Sequence, residues 1–201
     1  MIDSPIKNIV LSGEYVRLEP LCKNHNQSLM EAVIDGSLWE LWYTFIPKPE
    51  DMSLEIDRRL ALQAQGKMLP FVVIDQIQNK IVGMTTYMNI DQENNRVEIG
   101  STWYSKSAQK TRINTESKFL LLAHAFETLK CIAVEFRTHR ANLISQRAIE
   151  RLGAKLDGVL RQHQMHRHPG AQGLYRDTYV YSIINSEWLS VKTKLQELLL
   201  Q

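Results

Sequence analysis

Cysteine is scarce. Cys22 and Cys131 are the two in 201 residues, too few for a disulfide framework and in no metal-ligand spacing. Both read as reduced thiols, Cys131 near a strand start. One-sided charge is lacking as well. Lysine and arginine total 24 against 22 aspartates and glutamates, a formal net charge of +2 without the basic stripe of a general nucleic-acid binder. A small anionic ligand stays open, because it needs only a few well-placed donors. No apolar run can span a bilayer: the longest, around Phe119 to Phe126, is short and broken by His124, so no membrane partner is expected. The opening residues Met1-Ile2-Asp3-Ser4-Pro5 lack the basic-then-apolar pattern of a secretory signal, which makes the cytoplasm the expected location. Repeats, low-complexity tracts and linker compositions are also missing. What is present, 44% hydrophobic and 23% charged residues, is too apolar for a disordered chain and suits one domain over residues 1–201.

Local patterns alternate between strand and helix. Gly13 to Leu21 reads as a first strand ended by Pro20, and Leu29, Ala32 and Val33 as a helical period stopping near Gly36. Trp39, Trp42, Tyr43 and Phe45 follow. Ser53 to Gln65 reads as a second helix with Leu54, Leu60, Ala61 and Ala64 as its apolar side. Phe71–Ile74 and Ile81–Tyr87 form a hairpin turning at Gln78-Asn79. In the next strand, Arg96 to Tyr104, Val97, Ile99 and Trp103 alternate with Glu98, Gly100 and Thr102. A polar loop, Ser105 to Asn114, opens a helix that Asn114 is placed to cap, with Phe119, Leu122, Phe126 and Leu129 as its core stripe. Then come a strand at Ile132–Thr138, a helix at Ser145–Leu152 closed by Gly153, two strands at Val159–Gln162 and Tyr179–Ile184, and a terminal helix bearing Trp188, Val191, Leu195 and Leu198. The plan is mixed α/β.

The informative unit is strand, polar loop, helix. A helix N-terminus leaves backbone N–H groups unpaired and carries partial positive charge, so the amides of Gln109 to Asn114 can meet a pyrophosphate.

Several ordered segments resemble the GNAT N-acetyltransferases. They are Glu98-Ile-Gly-Ser-Thr-Trp-Tyr104, Ala108 to Lys118, His124-Ala-Phe-Glu127, Glu135-Phe-Arg-Thr138, Asn142 to Lys155 and Gly158-Val-Leu-Arg161. The branch they are most similar to is the ribosomal-protein N-terminal acetyltransferases of the RimJ/RimL type. The resemblance implies a mostly antiparallel sheet with helices on both faces, splayed between two central parallel strands, Val97–Tyr104 and Ile132–Thr138. It implies acetyl-CoA as co-substrate and no metal. The pantetheine arm would read backbone at Ile99, Gly100, Ser101 and Thr102. The diphosphate would rest on Gln109, Lys110, Thr111, Arg112, Ile113, Asn114 and Thr115, with Asn142 and Ser145 on the cofactor side. The family's loop glycines fall at Arg112 and Asn114, and its tyrosine acid at Ile149, so Ser145 becomes the candidate for the leaving sulfur.

Acetyl transfer needs a neutral amine, a polarised carbonyl and a stabilised thiolate. Glu98 could take the amine proton, backbone N–H near Thr102 could polarise the carbonyl, and Ser145 could meet the sulfur. The plainer readings stand beside these: Glu98 as a salt-bridged strand residue, Ser145 or Asn142 as a helix cap, Asn142 as a turn former. Trp39, Trp42 and Tyr43 are core or acceptor-cleft residues, and His163, His166 and His168, flanked by Arg161 and Arg167, read as a substrate-side loop. The expected activity is transfer of acetyl to a primary amine, of a protein N-terminus or a small molecule. The alternative is an acetyl-CoA-binding module without turnover, and a homodimer is left open.

Overall fold

The computed structural model describes residues 9–166 and 168–200; Met1 to Pro5 and Arg167 fall outside them. Strands β1 (Leu11–Ser12) and β2 (Val16–Pro20) lead to helices α1 (Asn26–Ile34) and α2 (Met52–Ala64). Next come β3 (Met68–Asp75), β4 (Lys80–Asp91), β5 (Arg96–Tyr104) and helix α3 (Arg112–Ala123), which runs on as a wide π turn at His124–Thr128. The chain closes with β6 (Ala133–His139), α4 (Leu143–Leu152), β7 (Lys155–Met165), β8 (Tyr175–Ile184) and α5 (Trp188–Leu200). The strands form one sheet in the order β1-β2-β3-β4-β5-β6-β8-β7. Neighbours run antiparallel except β5 and β6, which are parallel.

Each face has its own core. Val97, Ile99, Val134, Phe136 and Ile183 meet Leu121 and Leu122 of α3, Ile149 and Leu152 of α4, and Val191 and Leu195 of α5. On the other face Val72, Ile74, Met84 and Trp103 meet Leu29 and Val33 of α1 and Met52 and Ile56 of α2. This explains why β3 reads as an unbroken apolar run: it is buried on both sides. The α1/α2 core draws no residue from β6, β8 or β7, so helices cover that face over the first half of the sheet alone.

Three expectations need correction. The buried side of α2 is Met52, Glu55, Ile56 and Arg59, while Leu54 is 67% exposed. The stretch was legible as a helix, but its inward charges are an ion pair, Arg59 Nε to Glu55 Oε1 at 2.7 Å, which neutralises what periodicity reads as a polar face. Trp103 does not share a face with Val97 and Ile99. The β4–β5 register slips between Met84/Trp103 and Thr86/Gly100, and Ser101 takes a φ of +47°. That bulge inserts one residue and reverses the alternation beyond it. Finally, α3 starts at Arg112 with Thr111 as its cap, its hydroxyl accepting from Ile113 N at 3.2 Å, so Asn114 lies inside the helix. The left-handed residue of that loop is Lys110 (φ +61°), and neither Arg112 nor Asn114 needs the glycine geometry expected at those places.

Glu116 ties α3 to the sheet edge. Its carboxylate, buried against Gly13, accepts the N–H groups of Glu14, Tyr15 and Val16 at 2.9, 2.7 and 2.6 Å. These are donors at the start of β2 that would otherwise lack partners.

Candidate active site

The parallel pair is brief. Arg96, Val97 and Glu98 register with Ala133, Val134 and Glu135, and there the pairing ends, although β5 continues to Tyr104 and β6 to His139. β5 stays paired with β4 as far as Tyr104 and β6 with β8 as far as His139, so both strands present a free edge to the gap. The sheet therefore parts into a V whose base is Glu98. Ser101, in mid-strand of a central β element, is exposed for this reason. Backbone groups along Ile99 to Thr102 lack a strand on that side and suit an extended, amide-bearing ligand that completes the ladder.

The start of α3 lies beyond the end of β5. Thr111 takes the amide of Ile113, and those of Thr111, Arg112 and Asn114 are left without helical partners. Thr115, the fourth helical residue, has the carbonyl of Thr111 as its helical partner. Gln109 points its side-chain amide back to the Tyr104 carbonyl at 3.0 Å and steadies the loop. Arg112 turns to Tyr15: Nη1 donates to the phenol at 2.5 Å and the guanidinium carbon lies 4.9 Å above the ring. A cavity of about 310 Å³ beside it, lined by Tyr15, Asp35, Lys80, Ser107 and Arg112, includes none of Glu98, Ser101, Asn142 or Ser145.

Across the V, Asn142 caps α4 by accepting from Ser145 N at 3.1 Å, which settles the cap between those two residues. Gly153 at φ +103° ends that helix, as expected. The Ser145 hydroxyl is half-buried and has no protein partner among the described residues.

Glu98, 4% exposed, faces the side of the sheet that α1 and α2 leave open beyond β5. Asn89 Nδ2 donates to its Oε2 at 2.6 Å, and Arg137 Nε lies 3.4 Å from the same oxygen. Arg137 also binds Glu135 at 2.9 Å, and Arg96 binds Glu135 at 2.6 Å. Burial holds the Glu98 carboxyl above the usual carboxylate range, with Arg137 and the Asn89 amide pulling the other way. Further along β6, His139 Nδ1 accepts from Ala141 N at 2.8 Å, which leaves the proton on Nε2, 3.3 Å from His166 Nε2. Burial first, then the charge of Arg176, brings His139 down to about 4. Trp42 stands edge-on to His139 and to Tyr43 and stacks on His166. Trp39 instead packs against the α1/α2 core.

The sequence reading missed the ring of buried groups behind Ser101 and Thr102. Arg59 Nη2 donates to the Ser101 carbonyl at 3.2 Å and Nη1 to Thr86 Oγ1 at 2.7 Å. Lys118 Nζ donates to Thr102 Oγ1 at 2.9 Å, and burial brings its amine down to about 7. A signal for Lys118 existed: it stands in line with Leu121, Leu122 and Ala125 on the core side of α3.

A parted parallel pair beside an open helix N-terminus, with a buried carboxylate at its base, suits an acyltransferase that holds a thioester carried on a phosphorylated arm. The comparisons agree. The family described as Acetyltransferase (GNAT) domain matches residues 16–155, and the chain belongs to it. It is an acetyl-CoA-dependent acyltransferase with the GNAT fold. A GCN5-related N-acetyltransferase from Brucella melitensis superposes with a TM-score of 0.86 at 29% identity, covering 98% of this chain and 87% of that one. A provisionally named ribosomal N-acetyltransferase, YdaF of Bacillus subtilis (strain 168), is 30% identical over 54% of this chain and 56% of its own. RimL, a ribosomal L7/L12 alpha-N-protein acetyltransferase solved with coenzyme A, shares the fold at 18% identity and a TM-score of 0.72, over 88% of this chain and 98% of its own. Among the described residues, no helix is long and apolar enough to cross a membrane.

Proposed function

We propose that the chain moves the acetyl group of acetyl-CoA to the α-amine of a protein N-terminus by direct attack. The observation that carries this is the V beyond Glu98, where β5 keeps a free edge. The thioester arm lies along Ile99 to Thr102, the diphosphate meets the free amides of Thr111, Arg112 and Asn114, and Asn142 and Ser145 flank the sulfur. The neutral amine enters from the face of Trp42, Tyr43, His139 and Glu98. As its nitrogen bonds to the carbonyl carbon, its proton passes to Glu98, directly or through a water. The amide N–H of Thr102 balances charge growing on the carbonyl oxygen. The C–S bond breaks, and Ser145 steadies the departing thiolate. An α-amine, with a pKa near 8, is partly neutral at physiological pH and asks less of a base than a lysine amine near 10.4. RimL's name, an alpha-N-protein acetyltransferase, supports the N-terminal acceptor, and YdaF's supports a ribosomal one.

The experiment is calorimetry with acetyl-CoA, then thiol release over a panel of peptides with free α-amines, lysine side-chain amines and small amines. Binding with release on α-amine peptides is the expected result. Release on small amines alone would move the acceptor, and binding without release on every amine would leave a module that holds the co-substrate and does not turn over.

A further inference from the structure

The bulge in β5 is gripped from both faces by buried cations. From α2, the guanidinium of Arg59, 2% exposed, bridges the Ser101 carbonyl and Thr86 Oγ1 while Glu55 holds its Nε. From α3, the amine of Lys118 meets Thr102 Oγ1 at 2.9 Å and Thr85 Oγ1 at 3.5 Å, and these two hydroxyls are 2.8 Å apart. The gripped residues are neighbours in both strands: Thr85 and Thr86 on β4, Ser101 and Thr102 on β5.

The grip acts on one peptide unit. A trans peptide directs its carbonyl and its N–H in opposite directions within one plane. Fixing the Ser101 carbonyl against Arg59 therefore fixes the direction of the Thr102 N–H. Ser101 is an L-residue in the left-handed region, a conformation that persists only where its surroundings over-determine it. Lys118 supplies the second constraint by holding the Thr102 side chain from below.

The two cations differ in their company. Glu55 neutralises Arg59 and is bound by Arg58 as well. Lys118, 7% exposed, contacts hydroxyls and no carboxylate among the described residues. A buried amine without a counter-ion weakens a fold, whether it stays charged or gives up its proton. Methionine would pack there at less cost. The amine's contacts all lead to the bulge.

We propose that Arg59 and Lys118 are positioning residues for acetyl transfer, together aiming the Thr102 amide at the thioester carbonyl. This rests on the reading above in which that amide polarises the carbonyl. The test uses the whole chain and acetyl-CoA labelled with ¹³C at the carbonyl. Lys118→Met keeps the length of the side chain and removes the donor; Thr102→Val keeps the shape and removes the acceptor. Arg59→Lys keeps a charge beside Glu55 and gives up the Ser101 carbonyl. In the parent, the infrared carbonyl band of bound acetyl-CoA should lie below its position in water, and in all three variants it should move back up. Lys118→Met should melt no lower than the parent. It should lose about tenfold or more in kcat, with the KM for acetyl-CoA within about threefold.

An unmoved band overturns the proposal, whatever happens to the rate, because a kcat loss that follows the folded fraction is a structural effect. If Lys118→Met does not fold, the band in Thr102→Val decides. The band is read without an acceptor. A parent that binds acetyl-CoA yet releases no thiol on any amine thus sinks the transferase reading and leaves the band to judge the grip. A parent that does not bind acetyl-CoA sinks both.

Discussion

Exchanging Glu98 for glutamine separates its two roles, proton acceptor and buried charge. The amide keeps the size of the carboxyl and can still accept from Asn89, while Arg137 keeps its 2.9 Å pairing with Glu135 and is not orphaned. If Glu98 takes the amine proton, the loss in kcat/KM for an α-amine peptide is that of a general base, about 10² to 10⁴ near neutral pH. Solution supplies the neutral amine to parent and variant alike, so the loss should hold through the neutral and alkaline range and shrink only as Glu98 itself takes up a proton. On the acid side, the parent needs both a neutral amine and an ionised Glu98. Burial raises the Glu98 carboxyl, so the acid limb of the parent steepens at a pH above the ordinary carboxylate range. The variant should keep the gentler limb of the amine alone.

Stability gives an independent reading with a worked sign. A carboxyl whose folded pKa lies above its unfolded value binds more protons in the native state. Stability is therefore lost as pH rises from the ordinary carboxylate value through the raised one, and it stays lost above. Glutamine does not titrate. The variant should melt no lower than the parent at pH 7.5, and its advantage should fade below about pH 4. Thiol release across pH 5 to 9 with thermal melts over the same range checks both arms. A variant with more than about a third of the parent's activity at pH 7, or with the parent's steep acid limb, would refute the assignment.

Asn142 and Ser145 should part company. Asn142→Ala removes the α4 cap and should cost about 1 kcal/mol, a fall of about 2–4 °C in Tm. Ser145→Ala, whose hydroxyl has no protein partner among the described residues, should lower turnover with little change in the melt. Gly100→Ala would place a methyl 2.8 Å from Met88 Sδ and 2.9 Å from Glu98 Oε1. Both are ends of movable side chains, so activity should fall by about tenfold or more while the melt stays near the parent's. Glu116→Ala strips three N–H groups of their acceptor and should cost about 3 kcal/mol or more, read as a lowered denaturant midpoint with an unchanged slope.

Much of the plan was legible because local rules and global structure agree. β5 has the bounds its pattern predicts, Gly153 closes α4, and Asn79 makes a left-handed turn where the hairpin needs it. The family segments carried the rest, including the V. What resisted was narrower. Thr111 and Asn114 are both competent caps three residues apart, and propensity does not choose between them. Glu55 and Arg59 read as solvent-facing charges because periodicity does not show that an i,i+4 pair neutralises itself inside. Ser101 gave no sign of a bulge, since nothing in a serine asks for a positive φ.

These misfits are not scattered. Arg59 binds the Ser101 carbonyl, Ser101 precedes Thr102, and Thr102 accepts from Lys118, the lysine standing in an apolar stripe. Three departures from sequence rules, read singly as noise on two helices and a strand, meet at one peptide unit on the free edge of β5. A folding requirement alone would favour apolar side chains at the two inward cations and an extended residue at 101. The agreement of independent misfits at the mouth of the V is what a site held against the preference of the fold looks like. It supports the proposed placement of acyl transfer at that bulge rather than at the α3 N-terminus, where caps and amides obey the ordinary rules.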